Sequence, residues 1–409
     1  LMAGILSRTL TGFLLIAVCG WSVSASADEL SDLVSERLSY MKSVAAYKWH
    51  KNLPVEDAER EKVVLSSVSQ LSLKHGLIAQ TAQSFFRSQI EAAKEIQHYW
   101  FYQWKQGLGG MLPKPPDLNT EIRPALIALG EKIAASFGEK TQAITLLRVE
   151  GLSVETSNKL SESAEAVEVY HSRLSQVLGS GILRVGTTGD YAPFSRLRED
   201  KGEYKEEYKG IDIDLAGDLA KSLGVEIEWV RTSWPTLMED LHAGDYDIGM
   251  SGISINLNRA RSAFFSSAYH SGGKTPIVRC EDATRFGSLA AIDRPGVLAV
   301  VNPGGTNERF ARTHLKQATL RLHPDNRTIF REILDNRADV MFTDQIEVRR
   351  QTQIFNNLCA AMPGQTLSVS QKGFLLPQDI VWKHYVDTWL EQRVREGRVQ
   401  NIFAEHMQR

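Results

Sequence analysis

Apolar positions recur at helical spacing from Asp28 to about Gly179. Leu30, Leu33, Val34, Leu38 and Met41, with Arg37 among them, form an i, i+3, i+4 stripe, and similar spacing runs through Val63–Leu73 and Phe85–Tyr102. Gln106–Asp117 (QGLGGMLPKPPD) breaks the pattern and reads as a loop, with helical stretches expected again over Arg123–Phe137 and Glu139–Leu178. At Gly179 the period changes. Ile182–Gly186 reads as a strand, Ile211–Leu223 as a helix, and Val225–Val230, Tyr246–Met250, Leu298–Val301 and Ala338–Phe342 as further strands with helices between them. Such alternation predicts parallel α/β sheets with a ligand cleft near strand ends. The expected fold is therefore multi-domain: an all-α N-terminal domain over 28–178, then an α/β domain over 179–409. The second domain should have two lobes, roughly 179–273 with 375–409, and 274–374.

Residues 2–27 add a compartment. Arg8 supplies a basic start, Phe13–Cys19 an apolar run and Ala25-Ser26-Ala27 a small-x-small cleavage site, the pattern of a secretory signal peptide. An uncleaved anchor is the alternative; a lipoprotein through Cys19 fits poorly with Val18 beside it. No second apolar span of about 20 residues follows, so no membrane association is expected after cleavage. Beyond the leader only Cys280 and Cys359 remain, enough for one disulfide in an oxidising compartment or else two separate thiols. Neither has neighbours at metal-ligand spacing, and no metal is expected. The 409 residues carry 47 Lys and Arg against 49 Asp and Glu, a balance with no footprint for nucleic acid. Anionic ligands must then be held by a few placed cations.

In the α/β half, Ile182–Thr187, Gly210–Leu215 and Gly249–Ser254 running on to Arg259 resemble periplasmic solute-binding proteins for amino acids. In that family an arginine clamps the ligand carboxylate, which suits a fork donor, and Arg259 takes this place with Ser251 and Ser254 nearby. Longer runs are similar to cyclohexadienyl dehydratase, an enzyme on the same fold. They include Thr187–Tyr191, Thr232–Pro235, Met250–Leu257, Gly273–Pro276, Asn302–Asn307, His323–Asn326 and Thr343–Glu347. The resemblance implies loss of water and carbon dioxide from prephenate, and usually from arogenate too, without a cofactor. It also implies Lys274 as a second carboxylate-binding cation, Asn302 and Thr306 in an anion-binding turn, and Asp344 as a neighbouring carboxyl. Glu347 becomes the acid that protonates the leaving hydroxide. That role requires Glu347 to stay protonated near neutrality. Alternatively, Glu347 pairs with Arg349 or Arg350 on a helix surface. Trp234 closes the cleft over the ring or simply packs in the core.

The helical half offers spaced cations and no nucleophile-plus-base motif. Ser35–Leu38, Val44–Trp49, Pro54–Arg60, Gln89-Ile90, Ile96-Gln97 and Pro115–Leu118 with Arg123 resemble the secreted, all-helical class of chorismate mutase. A pericyclic rearrangement needs a shaped cavity and donors at the ether oxygen, not an acid or base. The resemblance implies Arg37, Arg60 and Arg123 at the substrate carboxylates and Lys48 and Gln97 at the ether oxygen. Asp57 would anchor the hydroxyl or orient a cation, and the domain is expected to form a homodimer. Relatives often carry glutamate where Gln97 falls; an amide donates without needing a proton. Each cation alone could belong to a solvated helix face. The fusion predicts a periplasmic bifunctional enzyme of phenylalanine biosynthesis, converting chorismate through prephenate to phenylpyruvate. The rivals are an amino-acid-binding protein of a transporter fused to a helical dimerisation module, and a dehydratase carrying an inactive helical domain.

Overall fold

The computed structural model describes residues 25–110, 114–137, 144–145, 147–199 and 206–407. The expected leader lies outside the described residues apart from Ala25–Ala27, which open the first helix. Helices α1 (Ala25–Ser39), α2 (Met41–His50), α3 (Ala58–His75), α4 (Ala79–Lys105), α5 (Arg123–Ser136), α6 (Val154–Glu165) and α7 (Arg173–Ser180) fill the N-terminal half. The expected helical stretch Glu139–Leu178 is not continuous. Ser153 caps α6 by accepting from Thr156 N–H, and Ser172 and Ser175 form a reciprocal capping box at the start of α7. These serine hydroxyls satisfy fresh helix starts and so divide the segment.

The described chain forms two compact units that do not follow the linear border expected at 178/179. One holds the residues up to Asp57 together with Arg87–Ala166; the other holds Ala58–Phe86 and Val167–Arg409. In the second unit, residues 72–78 are tied to the approach of α7. Leu77 bridges Val169, Ile78 N–H donates to Glu168 O at 2.8 Å, and Tyr170 N–H donates to Gly76 O at 2.8 Å. Lys74 also pairs with Asp245 at 3.2 Å. In the first unit, Leu30, Val34 and Leu38 of α1, Ile96 and Trp100 of α4, and Leu129 and Ile133 of α5 are buried. Trp49 meets Phe101 and Trp104 edge-on at 5.2 and 5.9 Å.

The rest of the second unit runs β1 (Ile182–Thr187), β2 (Asp190–Tyr191), β3 (Ser195–Glu199), β4 (Glu206–Lys209), α8 (Ile211–Leu223), β5 (Glu226–Arg231), α9 (Leu237–His242), β6 (Ile248–Gly249), α10 (Leu257–Ala260) and β7 (Phe264–Phe265). After β8 (His270–Gly272) come β9 (Lys274–Arg279), α11 (Leu289–Ile292), β10 (Leu298–Val301), α12 (Thr306–His314), β11 (Thr319–Leu322), α13 (Ile329–Leu334), β12 (Val340–Asp344) and α14 (Gln345–Ile354). The chain ends through β13 (Leu358–Ala360), β14 (Ser370–Lys372), β15 (Leu375–Leu376), α15 (Ile380–Arg395) and α16 (Arg398–Met407).

Two five-stranded sheets result, ordered β5-β1-β6-β15-β7 and β11-β10-β12-β9-β13. Both are mixed rather than parallel. β15 runs antiparallel to β6 and β7, and β9 antiparallel to β12 and β13. These two strands stand where the chain has just passed from one sheet to the other. A strand arriving without a crossover helix is free to pair antiparallel. Each sheet buries its own core: Leu183, Val185, Leu215, Ile248 and Trp382 in the first, Val278, Ala299, Val301, Val340 and Phe342 in the second.

A disulfide joins Cys280, just after β9, to Cys359 in β13. The 79-residue separation encloses β10, β11 and β12, most of the second lobe. Closing a loop of that size constrains the unfolded chain by roughly 3–5 kcal/mol. Replacing both cysteines with serine is expected to lower the melting midpoint of the α/β unit by roughly 10 °C. Calorimetric scans of the double variant beside the untreated and reduced wild type check this.

Candidate active sites

The α/β cleft is built from strand ends and the turns that follow them. Arg259 in α10, Lys274 at the start of β9, Asn302 after β10, Thr306 and Asn307 at the start of α12, and Asp344 at the end of β12 all line it. Trp234, Ser254, Tyr191, Asn326 and Lys372 complete the wall. Arg259 is buried, lies near Arg309, and donates to Ser254 O at 3.3 Å. Burial, with Arg309 adding to it, lowers its guanidinium to about 10, so it remains a cation at neutral pH. The turn ahead of it is pinned by Asp212, which accepts from Gly252 N–H and Tyr269 OH at 2.7 Å each. Gly252 has φ +63°, and a side chain there would come within 2.5 Å of the Phe194 ring, so only glycine lets the turn close.

Asp344 is the most heavily bonded group in the cleft. Its Oδ2 accepts from Lys372 Nζ at 2.7 Å and from Tyr191 OH, and its Oδ1 lies 2.9 Å from Lys274 Nζ and 3.4 Å from Ser370 Oγ. Burial alone would raise its pKa, but the two ammonium groups override that and hold the carboxyl well below its usual range. Lys274 also donates to Asn307 Oδ1, and Asn307 Nδ2 donates to Asn302 Oδ1 at 3.0 Å and to Thr343 Oγ1 at 3.3 Å.

Glu347, in the first turn of α14, stands behind this wall. It is buried and bonded to the Thr343 hydroxyl, not paired with Arg349 or Arg350 on the surface. Burial pushes its carboxyl up to about 8; the Thr343 hydrogen bond opposes this and the Asp344 charge adds to it. Two carboxyl groups three residues apart are thus driven in opposite directions. Trp234 lines the cleft, meets Tyr191 edge-on at 5.8 Å, and donates Nε1–H to Asp190 Oδ1 at 3.1 Å. Ser251, expected at the ligand, shares a hydrogen bond with Thr188 Oγ1 at 2.7 Å and is not among the residues that line the cleft. Ser254 does line the cleft and accepts from Lys372 Nζ at 2.9 Å. A wider cavity of about 1200 Å³ adjoins the same Asp344–Lys372 pair, but Arg259, Lys274 and Asn302 line only the smaller cleft.

Tyr191, Asn307 and Asn326 were visible only as members of motifs, and Lys372 carried no motif. The one trace of Lys372 is a cation set immediately before the apolar run Gly373–Leu376.

In the helical unit, Arg37 on α1 donates to Leu126 O at 2.6 Å and Lys48 on α2 donates to Val55 O at 2.6 Å. Arg123, at the start of α5, donates to Asn119 Oδ1, and Asp57 is exposed ahead of α3. Gln97 on α4 is buried and donates to Ala93 O at 3.0 Å. Its Oε1, and both amide atoms of buried Gln89 two turns earlier, have no hydrogen-bond partner among the described residues. Arg60, expected with these residues, falls on α3 and therefore in the second unit, because residues 72–78 pair with 168–170. Arg37, Lys48, Gln97 and Arg123 share the first unit without it.

Among the described residues, no group of three or more His, Cys, Asp or Glu is placed to hold a metal ion, and no helix is long and apolar enough to cross a membrane.

A family model of bacterial extracellular solute-binding proteins, family 3, matches residues 183–409, more than half of the chain. The chain belongs to that family. Ahead of it, residues 23–98 match chorismate mutase type II. The α/β part is 50% identical over 235 residues to cyclohexadienyl dehydratase of Pseudomonas aeruginosa, covering 58% of this chain and 86% of that one. The helical part is 33% identical over 135 residues to secreted chorismate mutase of Yersinia pestis, covering 31% of this chain and 73% of that one. Among solved structures, an ancestral amino-acid-binding protein described as a precursor of cyclohexadienyl dehydratase matches at 32% identity and TM-score 0.53, over 58% of this chain and all of that one.

The Glu347 shift carries a stability signature independent of turnover. Below pH about 4.5 the group is protonated folded or unfolded; between 4.5 and about 8 only the folded state keeps the proton. Stability must therefore fall as pH rises through that window and level off above it. Glu347→Gln removes the effect. Its melting midpoint is expected to match wild type near pH 5 and to exceed it by a widening margin up to pH 8, as thermal scans across buffers will show.

Proposed function

We propose that the chain is a bifunctional enzyme that rearranges chorismate to prephenate in its helical part and converts prephenate to phenylpyruvate in its α/β part. The observation that carries the second activity is the charge of the cleft. Its lining holds three cations, Arg259, Lys274 and Lys372, and one carboxylate, Asp344. Two positive charges are left unmatched, and prephenate brings two carboxylates. Behind the wall, Glu347 is a buried acid whose raised pKa keeps its proton at neutral pH.

The chemistry follows from those positions. Arg259 and Lys274 hold the two carboxylates, while Asn302, Thr306 and their turn position the anion, and Trp234 covers the ring. The ring carboxylate leaves as carbon dioxide and its C–C electron pair moves into the ring. The C–O bond to the ring hydroxyl breaks, and Glu347 delivers its proton so that water departs. Glu347 is left ionised and regains a proton from solvent. Aromatisation supplies the driving force, so one placed acid suffices.

In the helical part the reaction breaks one C–O bond and forms one C–C bond with no net proton transfer. Arg37 and Arg123 bind carboxylates, and Lys48 and Gln97 stabilise the ether oxygen as charge builds there. The unpartnered Gln97 Oε1 and Gln89 amide atoms support a polar ligand beside α4. Asp57 is assigned the substrate hydroxyl or the orientation of a cation, and Arg60 a substrate carboxylate. We further read residues 2–27 as a cleaved leader that places the enzyme in the periplasm, and the helical part as the seat of a homodimer.

An amino-acid-binding protein of a transporter is the competing interpretation. It is disfavoured by Asp344, whose oxygens are already occupied by two lysines, a tyrosine and a serine.

Given chorismate, the wild type is expected to release phenylpyruvate, and Glu347→Gln to accumulate prephenate with dehydratase turnover down by about three orders of magnitude. Because the acid works protonated, wild-type dehydratase activity should fall as pH rises past about 8. A wild type that stops at prephenate would overturn the dehydratase assignment. In the same assay Lys48→Ala should lower mutase turnover by roughly 100-fold or more while leaving the consumption of supplied prephenate intact. Equal loss of both activities would point to misfolding rather than catalysis.

A further inference from the structure

Asn326, in the turn after β11, lines the cleft and is almost wholly buried. Its Nδ2 donates to Asp190 O at 3.0 Å, which ties that turn to β2. A carbonyl oxygen only accepts, so the amide nitrogen has to face Asp190, and Oδ1 is the atom left over. Of the residues lining the cleft, Asn326 is the one with a buried side-chain oxygen that has no hydrogen-bond partner among the described residues. The other amide and carboxylate oxygens of the wall are engaged. Asn302 Oδ1 accepts from Asn307 Nδ2, and Asn307 Oδ1 accepts from Lys274 Nζ. Asp344 has Lys372, Tyr191, Lys274 and Ser370 around its two oxygens, about as many donors as a carboxylate can accept. The wall thus offers cationic donors and, in Asn326 Oδ1, a free amide acceptor.

We propose that Asn326 Oδ1 accepts the hydrogen of the ring hydroxyl that departs in the dehydratase reaction, and so turns that oxygen toward Glu347. This rests on the dehydratase activity proposed above. Prephenate is built almost wholly of acceptors, two carboxylates and a carbonyl. The ring hydroxyl is its one O–H donor, and a buried acceptor left unpaired costs free energy until a donor meets it. Pairing the two commits the hydroxyl hydrogen to Asn326 and leaves the oxygen lone pairs for the acid. The hydrogen bond also polarises the hydroxyl, raising the electron density on its oxygen and making it easier to protonate. Asn326 exchanges no proton. Glu347 gives its proton to the oxygen as the C–O bond breaks, and water leaves with its original hydrogen still directed at Asn326. Burial raises the Glu347 pKa and the charges of Asp344 and Asp190 add to it, so Asp190, which holds Asn326, stands within electrostatic range of the acid. Asp190 Oδ1 also accepts from Trp234 Nε1–H at 3.1 Å, so the cover for the ring and the acceptor for its hydroxyl are set by one residue.

The test uses two prephenate analogues whose ring double bonds are reduced, so that neither can aromatise. One keeps the ring hydroxyl and the other carries hydrogen in its place. Inhibition constants for both are measured against the consumption of supplied prephenate by the full chain. The wild type should bind the hydroxy analogue about tenfold more tightly than the deoxy one, as one buried hydrogen bond allows. Asn326→Ala and Asn326→Leu also lose the link to Asp190, which weakens both analogues alike and leaves their ratio untouched. Loss of the acceptor should instead bring the ratio within about twofold of one and lower prephenate turnover by about tenfold or more. Either variant suffices, and one that still prefers the hydroxy analogue as the wild type does overturns the proposal. So does a wild type that binds the two alike, which needs no variant to fold. If the wild type leaves supplied prephenate untouched, the dehydratase assignment itself fails; if it consumes prephenate and the analogues bind equally, only the role of Asn326 fails.

Discussion

Asp344 is buried with its carboxylate against the ammonium groups of Lys274 and Lys372 and the hydroxyl of Tyr191. Desolvating three charges is costly, and removing one partner from such a group typically destabilises by roughly 3–5 kcal/mol because the rest stay buried without compensation. The cluster therefore constrains everything that delivers its members. Lys274 faces Asp344 in the β9–β12 register, Lys372 arrives on β14, and Tyr191 comes from the small sheet beside β1. The antiparallel entry of β9 is what sets that register, since it opens the strand with Lys274 opposite the last residue of β12. Three segments far apart in sequence must be in place before the cleft has its shape.

The same cluster sets the electrostatics around Glu347. Asp344 keeps its negative charge because the lysines surround it; Glu347, three residues on, holds its proton because it is buried, with the Asp344 charge adding to that and the Thr343 hydrogen bond opposing it. One helix start thus carries a permanent anion and a protonated acid, separated by less than a turn. Solute-binding relatives use this scaffold to hold a ligand without changing it.

Much of this was legible in the residues. The helical spacing before Gly179, the strand-helix alternation after it, and the positions of Arg259, Lys274 and Glu347 follow from pattern and motif. Strand direction does not: short apolar runs such as Leu375-Leu376 look the same in either sense, so the mixed sheets were hidden. Lys372 was hidden because its partner lies 28 residues away and no local spacing links them. The Ser251–Thr188 hydrogen bond was hidden because the two residues lie 63 positions apart. The grouping of Arg60 with the second unit depends on the bridge at Leu77 and Val169, a contact across 92 residues that helical periodicity cannot encode.

Helix α7 bears on how such a chain could be dissected or assembled from parts. It reads as the tail of the helical half, yet Val177 belongs to the core of the first α/β sheet. Arg173 reaches Asp247 at 3.0 Å, and Asp379 accepts from its backbone N–H. Asp247 is almost wholly enclosed and relies on Arg173 together with Arg184. A graft that began at Gly179 would transplant Asp247 without one of its two counter-charges and leave a hole where Val177 stood. A piece that keeps the α/β part intact therefore has to include α7 from its cap, Ser172, together with the residues 72–78 and 168–170 that pair ahead of it.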